Sequence, residues 1–207
     1  MLKSPENLGV IHFIGIGGIG MSGIAEILFQ SGYNVQGSDI IDGNNTNRLK
    51  KLGIKVYIGQ KKSNILNAKL VVVSTAISTK NIEYMTAKKM FLPVVHRSEM
   101  LGELMRLKQS IAIAGTHGKT TTTSLIAKMI EENGMDPTII NGGIISSLDS
   151  NAKLGNGEWM VVEADESDGS FAKLNPTVAI ITNIDLEHLD YHKSEENLER
   201  AFLHFVS

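Results

Sequence analysis

Short apolar runs rich in β-branched residues alternate with longer amphipathic stretches along this chain. The runs predict strands at Val10–Ile14, Asn34–Gly37, Leu70–Val73, Val94–Val95, Ile111–Ala114, Met160–Val162 and Val178–Ile181. The amphipathic stretches predict helices over residues 21–30, 81–90, 97–108, 119–132 and 195–205. This alternation is typical of βαβ units around a mostly parallel sheet, so the sequence predicts an α/β protein.

The order of strand, glycine-rich turn and helix occurs twice, once after Ile14 and again after Ala114. Two such openings predict two nucleotide-binding units. We expect residues 1–108 to form a Rossmann-like domain with a parallel sheet. Residues 109–207 are expected to form the first part of a P-loop α/β domain, incomplete because few strands are predicted in it.

Composition and net charge argue against several classes of function. The 207 residues carry 20 basic and 22 acidic side chains, a net charge of −2, which argues against a nucleic-acid partner or an anionic membrane surface. There is no cysteine, which excludes a thiolate metal site and a cysteine nucleophile. No apolar signal or spanning stretch is found, so a cytoplasmic location is expected. The oligomeric state cannot be predicted from this sequence.

The first glycine-rich turn fits the pattern G-x-G-x-x-G between a strand and a helix, with its glycines at Gly15, Gly17, Gly18 and Gly20. Such a turn lets backbone N–H groups and a helix N-terminus face a pyrophosphate. Asp39 follows the second strand, where a carboxylate can reach a ribose hydroxyl. The residues leave the ligand open between NAD and a nucleotide-sugar diphosphate.

Two further residues are candidates for the same ligand. Ser74 and Thr75 follow the Leu70–Val73 strand, so their hydroxyls would lie at the carboxyl edge of the same sheet and could bind phosphate or sugar. A simple strand-end turn explains them equally well. Arg97 is either a phosphate contact or a surface arginine at a helix start.

The second glycine-rich turn places a lysine and a hydroxyl directly after a glycine, as in a P-loop. Its candidate residues are Gly115, Thr116, His117, Gly118, Lys119, Thr120 and Thr121. Backbone N–H groups would surround the phosphates of ATP, Lys119 would contact the β and γ oxygens, and Thr120 would ligate Mg²⁺. The strict pattern is not met, because position 113 is Ile rather than Gly.

A P-loop also needs an acidic metal ligand, usually at a strand end. Glu163 closes the strand that follows Trp159 and is the best candidate, whereas Asp165 and Glu166 are expected on a solvated acidic loop. His188 comes shortly after the last strand, among carboxylates, and could bind a second cation through a neutral imidazole. His192 is interpreted as a surface residue.

Four stretches together resemble the Mur ligases of peptidoglycan synthesis: residues 12–23, 115–121, 163–168 and 182–190. They occur in order and at compatible spacing over nearly the whole chain. The opening His-Phe-Ile-Gly-Ile-Gly-Gly is characteristic of the alanine-adding branch of the family and its close relatives. Glu187 stands where many members have Asp, which is a conservative departure.

The resemblance implies a three-domain enzyme that uses ATP and Mg²⁺ to join L-alanine to UDP-N-acetylmuramate. It implies that the first glycine-rich turn holds the UDP diphosphate and that Lys119 holds the ATP phosphates. Thr120 and Glu163 would bind one Mg²⁺ and His188 another, with Asn183 near the nucleotide. Lys119, Glu163 and His188 are then the catalytic candidates. A C-terminal domain is expected beyond this chain, which resembles a fragment.

Three other functions remain open. A ligase that recycles peptides onto UDP-N-acetylmuramate shares these motifs. An NAD-dependent oxidoreductase would explain the first glycine-rich turn and Asp39, but it leaves Lys119, Glu163 and His188 without a role. A non-catalytic nucleotide-binding module is the third alternative.

Overall fold

The computed structural model describes residues 4–145, 150–187 and 189–207. They divide into two compact units, one running to Met100 and the other from Leu101 to Ser207. Each unit contains a five-stranded sheet, and the predicted α/β class is confirmed. The proposed domain bounds 1–108 and 109–207 stay a prediction.

The sheet of the first unit is parallel throughout, with strand order β3-β2-β1-β4-β5. Its strands are β1 Val10–Ile14, β2 Asn34–Asp39, β3 Lys55–Ile58, β4 Ala68–Val73 and β5 Val94–His96. Its helices are α1 Pro5–Leu8, α2 Ile19–Gln30, α3 Asn44–Lys51 and α4 Ile82–Lys89, and α5 Arg97–Met105 continues into the second unit.

The core of the first unit lies around its central strand. Ile11, Phe13 and Ile14 of β1 are fully buried, and α2 is buried continuously from Met21 to Leu28. A helix buried on nearly all sides belongs to the interior of an α/β layer. The glycine-rich turn between these two elements is therefore held from both ends by core packing.

The second unit has strand order β10-β6-β9-β7-β8, in which β7 and β8 are antiparallel and the other pairs are parallel. Its strands are β6 Gln109–Ala114, β7 Thr138–Ile145, β8 Ser150–Lys153, β9 Trp159–Glu163 and β10 Val178–Ile181. Its helices are α6 Lys119–Glu132, α7 Leu189–His192 and α8 Glu195–Phe205. Across the described parts of both units, no helix combines the length and hydrophobicity needed to cross a bilayer.

Six of the described helices and strands were not predicted. Helices α1 and α7 are only four residues long, and α3, β3, β7 and β8 each lack the continuous apolar pattern of a core element. Helix α3 is polar and buries only Thr46 and Leu49, while β3 and β8 are edge strands of mixed polarity. Strand β7 is interrupted by Gly142 and Gly143. The predicted helix over 97–108 was too long, because α5 ends at Met105.

An aromatic cluster packs α8 against the rest of the second unit. The ring of Phe171 lies 4.9 Å from that of Phe202 and 5.4 Å from that of Phe205, and all three side chains are buried. Tilted ring pairs at these separations contribute stability beyond their buried area.

We expect Phe202→Ala to lower the free energy of unfolding by about 3–5 kcal/mol, because it leaves a cavity in this cluster. The matched control is Leu203→Ala on the same helix, since Leu203 is 64% exposed and should cost under about 0.5 kcal/mol. Urea unfolding followed by the fluorescence of the single tryptophan, Trp159 in β9, measures both variants. Equal losses would contradict the packing of α8.

Candidate functional site

The first candidate site is the glycine-rich turn that follows β1, and the carboxyl end of β2 holds it. The carbonyl oxygen of Ser38 accepts hydrogen bonds from the N–H groups of Gly15 and Ile16 at 2.8 and 3.0 Å. Asp39 Oδ2 accepts the N–H of Gly17 at 2.8 Å. Three consecutive amides are thus fixed to one strand end, so this strand sets the path of the turn.

Asp39 is engaged on both carboxylate oxygens. Besides the contact from Gly17, its Oδ1 accepts the N–H of Ile41 at 3.1 Å. The structure thereby gives Asp39 a role in holding the turn. Its contact with a ribose hydroxyl stays a prediction.

Close packing explains why two positions of this turn are occupied by glycine. A Cβ atom at Gly17 would lie 2.8 Å from Thr46 Cγ2, and one at Gly20 would lie 3.0 Å from Arg97 Nη1. Gly18 is the residue that precedes α2. The guanidinium of Arg97 therefore lies beside the first turn of α2, where the helix dipole is already positive and an anion would be stabilised.

The segment after β4 borders the same turn. Ile77 Cδ1 lies 3.1 Å from the position of a Cβ at Gly15. Ser74 is half-buried and Thr75 is exposed just before this contact. Ser74 and Thr75 thus precede Ile77, the residue that packs against the turn, by two or three positions. Their contact with phosphate or sugar stays a prediction.

The second candidate site is the turn between β6 and α6, whose backbone requires glycine at two positions. Gly115 has φ +129°, and a Cβ there would lie 2.2 Å from Thr182 Oγ1. Gly118 has φ +79° and immediately precedes α6, with open space on the side where a Cβ would project. Positive φ values favour glycine, and the open space leaves room for a ligand.

The segment after β10 anchors this turn. Asn183 Oδ1 accepts the N–H of His117 at 2.9 Å, and Asn183 Nδ2 donates to the carbonyl of His117 at 3.0 Å. Thr182 Oγ1 donates to the same carbonyl at 2.6 Å. The N–H of Asp185 donates to Thr116 Oγ1 at 2.8 Å. Asn183, expected near the nucleotide, thus contacts the turn directly.

Lys119 opens α6 and folds back over the turn. Its Nζ donates to the carbonyls of Gly115 and Thr116 at 2.6 and 3.1 Å and to Glu166 Oε1 at 2.9 Å. Phosphate oxygens can take the place of these acceptors because the lysine chain is flexible and carries a compact charge.

Glu166 does not lie on a solvated loop, and that prediction was wrong. Its side chain is 2% exposed and forms an ion pair with Lys119. Burial raises the pKa of the Glu166 carboxyl, and the hydrogen bond from Lys119 opposes that rise. The sequence did not reveal this pair because its members are far apart along the chain.

His192 is also buried, so its interpretation as a surface residue was wrong. Its Nε2 lies 3.0 Å from the carbonyl oxygen of Glu166, which can only accept, so this nitrogen carries a proton. The imidazole thus ties α7 to the loop that presents Glu166 to Lys119.

The predicted metal ligands Thr120 and Glu163 lie together. Thr120 Oγ1 donates to Glu163 Oε2 at 2.8 Å, and the N–H of Gly142 donates to the same oxygen at 2.8 Å. A hydroxyl and a carboxylate form the hard oxygen donor set that Mg²⁺ prefers, so these residues fit the ion. Gly142, which sequence reasoning missed, holds the carboxylate in place from β7.

His188, predicted as a ligand for a second cation, lies outside the described residues. Within the described ranges, no cluster of three or more His, Asp or Glu side chains is arranged to hold a metal. Thr121 is exposed on α6 and lines a groove beside Thr120 and Ser124. These placements leave Thr120 and Glu163 as the described part of the candidate metal centre.

Both halves of the chain match known protein families. Residues 10–109 match the Mur ligase family, catalytic domain, and residues 113–207 match the Mur ligase middle domain. The curated relatives include UDP-N-acetylmuramate–L-alanine ligases from Parvibaculum lavamentivorans and Rhodospirillum rubrum. They are 62% and 58% identical over 206 residues, which is 100% of this chain but 42% and 43% of theirs. The chain therefore spans less than half the length of these relatives.

Two solved structures with similar folds are also ligases that act on UDP-N-acetylmuramate by name. A UDP-N-acetylmuramate–alanine ligase from Thermotoga maritima is 35% identical with a TM-score of 0.90, over 95% of this chain and 46% of that chain. A UDP-N-acetylmuramate:L-alanyl-γ-D-glutamyl-meso-diaminopimelate ligase from Neisseria meningitides is 27% identical with a TM-score of 0.87, over 96% and 67%.

We expect Gly142→Ala to weaken Mg²⁺-dependent nucleotide binding by about tenfold or more, since displacing the partners of a metal ligand has effects of this size. A Cβ there would lie 2.3 Å from Glu163 Oε1 and would push the carboxylate away from Thr120. Calorimetric titration with ADP, with and without Mg²⁺, measures the effect.

Gly102→Ala is the matched control. It adds the same methyl group in α5 of the second unit, where the nearest atom, Leu174 Cδ2, is at an ordinary 3.8 Å. Equal weakening in both variants, or none in Gly142→Ala, would contradict the metal assignment.

Proposed function

This chain belongs to the Mur ligase family, and from that premise we propose that it forms the nucleotide-sugar-binding and ATP-binding part of a ligase that joins L-alanine to UDP-N-acetylmuramate. The observation that carries the proposal is the meeting of Lys119, Thr120 and Glu163 at one glycine-rich turn. Identity of 62% to a ligase of that name supports the choice of substrates. The proposed setting is the cytoplasm, where ATP is available.

Amide formation needs an activated carboxyl group. In the proposed reaction, a carboxylate oxygen of the sugar attacks the γ-phosphorus of ATP, ADP leaves, and an acyl phosphate forms. The uncharged amine of L-alanine then attacks the acyl carbon, and inorganic phosphate leaves. The protein contributes mainly position and charge neutralisation, because the covalent chemistry is carried by the substrates.

The second unit supplies the phosphate-binding groups in this proposal. Lys119 exchanges its carbonyl and carboxylate partners for phosphate oxygens, where its charge stabilises the transferring phosphoryl group. Thr120 and Glu163 hold Mg²⁺, which neutralises phosphate charge when bound. Asn183 keeps the turn around His117 in shape through its two hydrogen bonds.

The first unit presents the sugar nucleotide. Its glycine-rich turn lies where strand β1 ends and α2 begins, so the helix N-terminus faces a diphosphate. Arg97, placed beside Gly20, adds positive charge at that point. In this proposal Asp39, Ser74 and Thr75 contact the ribose and the remaining polar groups of the ligand.

Calorimetry separates this function from an oxidoreductase. We expect the 207-residue chain to bind UDP-N-acetylmuramate and to give no heat with NAD, because the relatives at high identity are named for the sugar nucleotide. Arg97→Ala should weaken sugar-nucleotide binding, whereas Arg106→Ala, which removes an exposed arginine, should not. Binding of NAD alone would overturn the assignment of the first unit.

The complete reaction is tested in a chimera in which this chain replaces the matching part of the Parvibaculum ligase. We expect phosphate release from ATP that depends on both UDP-N-acetylmuramate and L-alanine, and Lys119→Ala should lower it by at least about 10²-fold. Lys128→Ala is the control, since Lys128 lies on the same helix in an exposed pair with Glu132. Normal turnover in Lys119→Ala would contradict the phosphate-binding role.

A peptide ligase is the second candidate, favoured by the similarity to the Neisseria structure. Replacing L-alanine in the assay by L-alanyl-γ-D-glutamyl-meso-diaminopimelate distinguishes the two. A second chimera, in which the remaining part comes from a peptide ligase instead of the alanine ligase, is assayed in parallel. Turnover with the peptide only, in both chimeras, would reassign the function.

A further inference from the structure

A buried carboxylate in the first unit collects four hydrogen-bond donors. Glu83, in the first turn of α4, is fully buried. Its Oε2 accepts from Ser38 Oγ at 2.5 Å and from His12 Nε2 at 3.1 Å. Its Oε1 accepts from Asn64 Nδ2 at 2.6 Å and from the N–H of Lys61 at 3.1 Å. A buried carboxylate is tolerated in the ionised form only when it is satisfied in this way.

The imidazole in this cluster has a defined protonation pattern. Gln36 Nε2 lies 3.2 Å from His12 Nδ1 and also donates to the carbonyl of Asn64 at 2.7 Å. Since an amide nitrogen can only donate, His12 Nδ1 accepts and Nε2 carries the proton that points to Glu83. Burial would raise the pKa of Glu83, but the bonds from His12, Ser38 and Asn64 keep it below its usual value.

Ser38 connects this cluster to the glycine-rich turn. Its hydroxyl donates to Glu83, while its carbonyl accepts the N–H groups of Gly15 and Ile16. The side chain and the backbone of one fully buried residue thus join the carboxylate to two amides of the turn. A shift of Ser38 would move both amides, because both are bonded to the same carbonyl oxygen.

We infer that Glu83 is a positioning residue for the sugar-nucleotide site, acting through Ser38 on the backbone of the glycine-rich turn. The inference rests on the proposed function for the identity of the ligand. The four donors to Glu83 come from β1, β2 and the segment between β3 and β4, rather than from the turn itself. Glu83 fixes Ser38 relative to those elements and so fixes the turn before the ligand arrives.

Two readouts on the 207-residue chain test the inference. We expect Glu83→Gln and Ser38→Ala to speed amide hydrogen exchange at Gly15 and Ile16 by about tenfold or more, since local opening governs exchange. We also expect both to weaken UDP-N-acetylmuramate binding by roughly tenfold, because small misplacements of binding groups have effects of this order. ADP binding, measured on the same samples, should remain unchanged.

The control for a purely structural role is Val35→Ala. Val35 is buried at the opposite end of β2, so its truncation destabilises the same strand without touching Ser38. The double variant Glu83→Gln/Ser38→Ala should bind UDP-N-acetylmuramate no more weakly than Glu83→Gln alone, since both changes disrupt the same contact between Ser38 and Glu83. If Glu83→Gln does not fold, Ser38→Ala decides by itself.

The outcomes are distinguishable. The inference is overturned if Glu83→Gln and Ser38→Ala lower the melting temperature as Val35→Ala does but leave exchange and affinity within about twofold of the wild type. Independent, additive losses in the double variant would also overturn it. If the wild-type chain gives no heat with UDP-N-acetylmuramate, the proposed function fails, and the exchange rates alone still decide whether Glu83 positions the turn.

Discussion

Each glycine-rich turn in this protein is held by the end of the parallel strand beside the one from which it emerges. In the first unit, the end of β2 binds the turn after β1 through Ser38 and Asp39. In the second unit, Thr182 and Asn183 after β10 bind the turn after β6. Parallel strands end at the same edge of a sheet, so a neighbouring strand end is the nearest source of acceptors for the amides of the turn.

This arrangement explains why small residues and polar residues occur together in these segments. A Cβ at Gly115 would overlap the side chain of Thr182, and one at Gly142 would overlap the carboxylate of Glu163. The glycines allow the approach, and the neighbouring hydroxyl, amide or carboxylate groups then make short hydrogen bonds. The shape of each candidate site therefore depends on contacts between segments far apart in sequence.

Two buried carboxylates show how differently the units use the same chemistry. Glu83 is surrounded by four donors, and its pKa lies below the usual value despite burial. Glu166 is paired with the charged side chain of Lys119, and burial raises its pKa. The first arrangement suits a group that stays ionised and holds other groups still. The second suits a group whose partner can leave when phosphate binds, because the lysine side chain is flexible.

The amino-acid sequence by itself determined the fold class, most of the core strands and helices, and the two glycine-rich turns. Those features are local: β-branched runs, helical periodicity, and glycine next to lysine and threonine. The pairing of Thr120 with Glu163 could also be predicted, since Thr120 follows the turn after β6 and Glu163 ends the neighbouring parallel strand β9. Polar edge elements such as α3 and β8 were missed because they bury few side chains. Only the tertiary structure decided that Glu166 and His192 are buried, that Gly142 supports Glu163, and that Glu83 reaches Ser38. Each of these contacts joins residues from different elements, and a buried polar side chain is identified by its partners rather than by its neighbours in sequence.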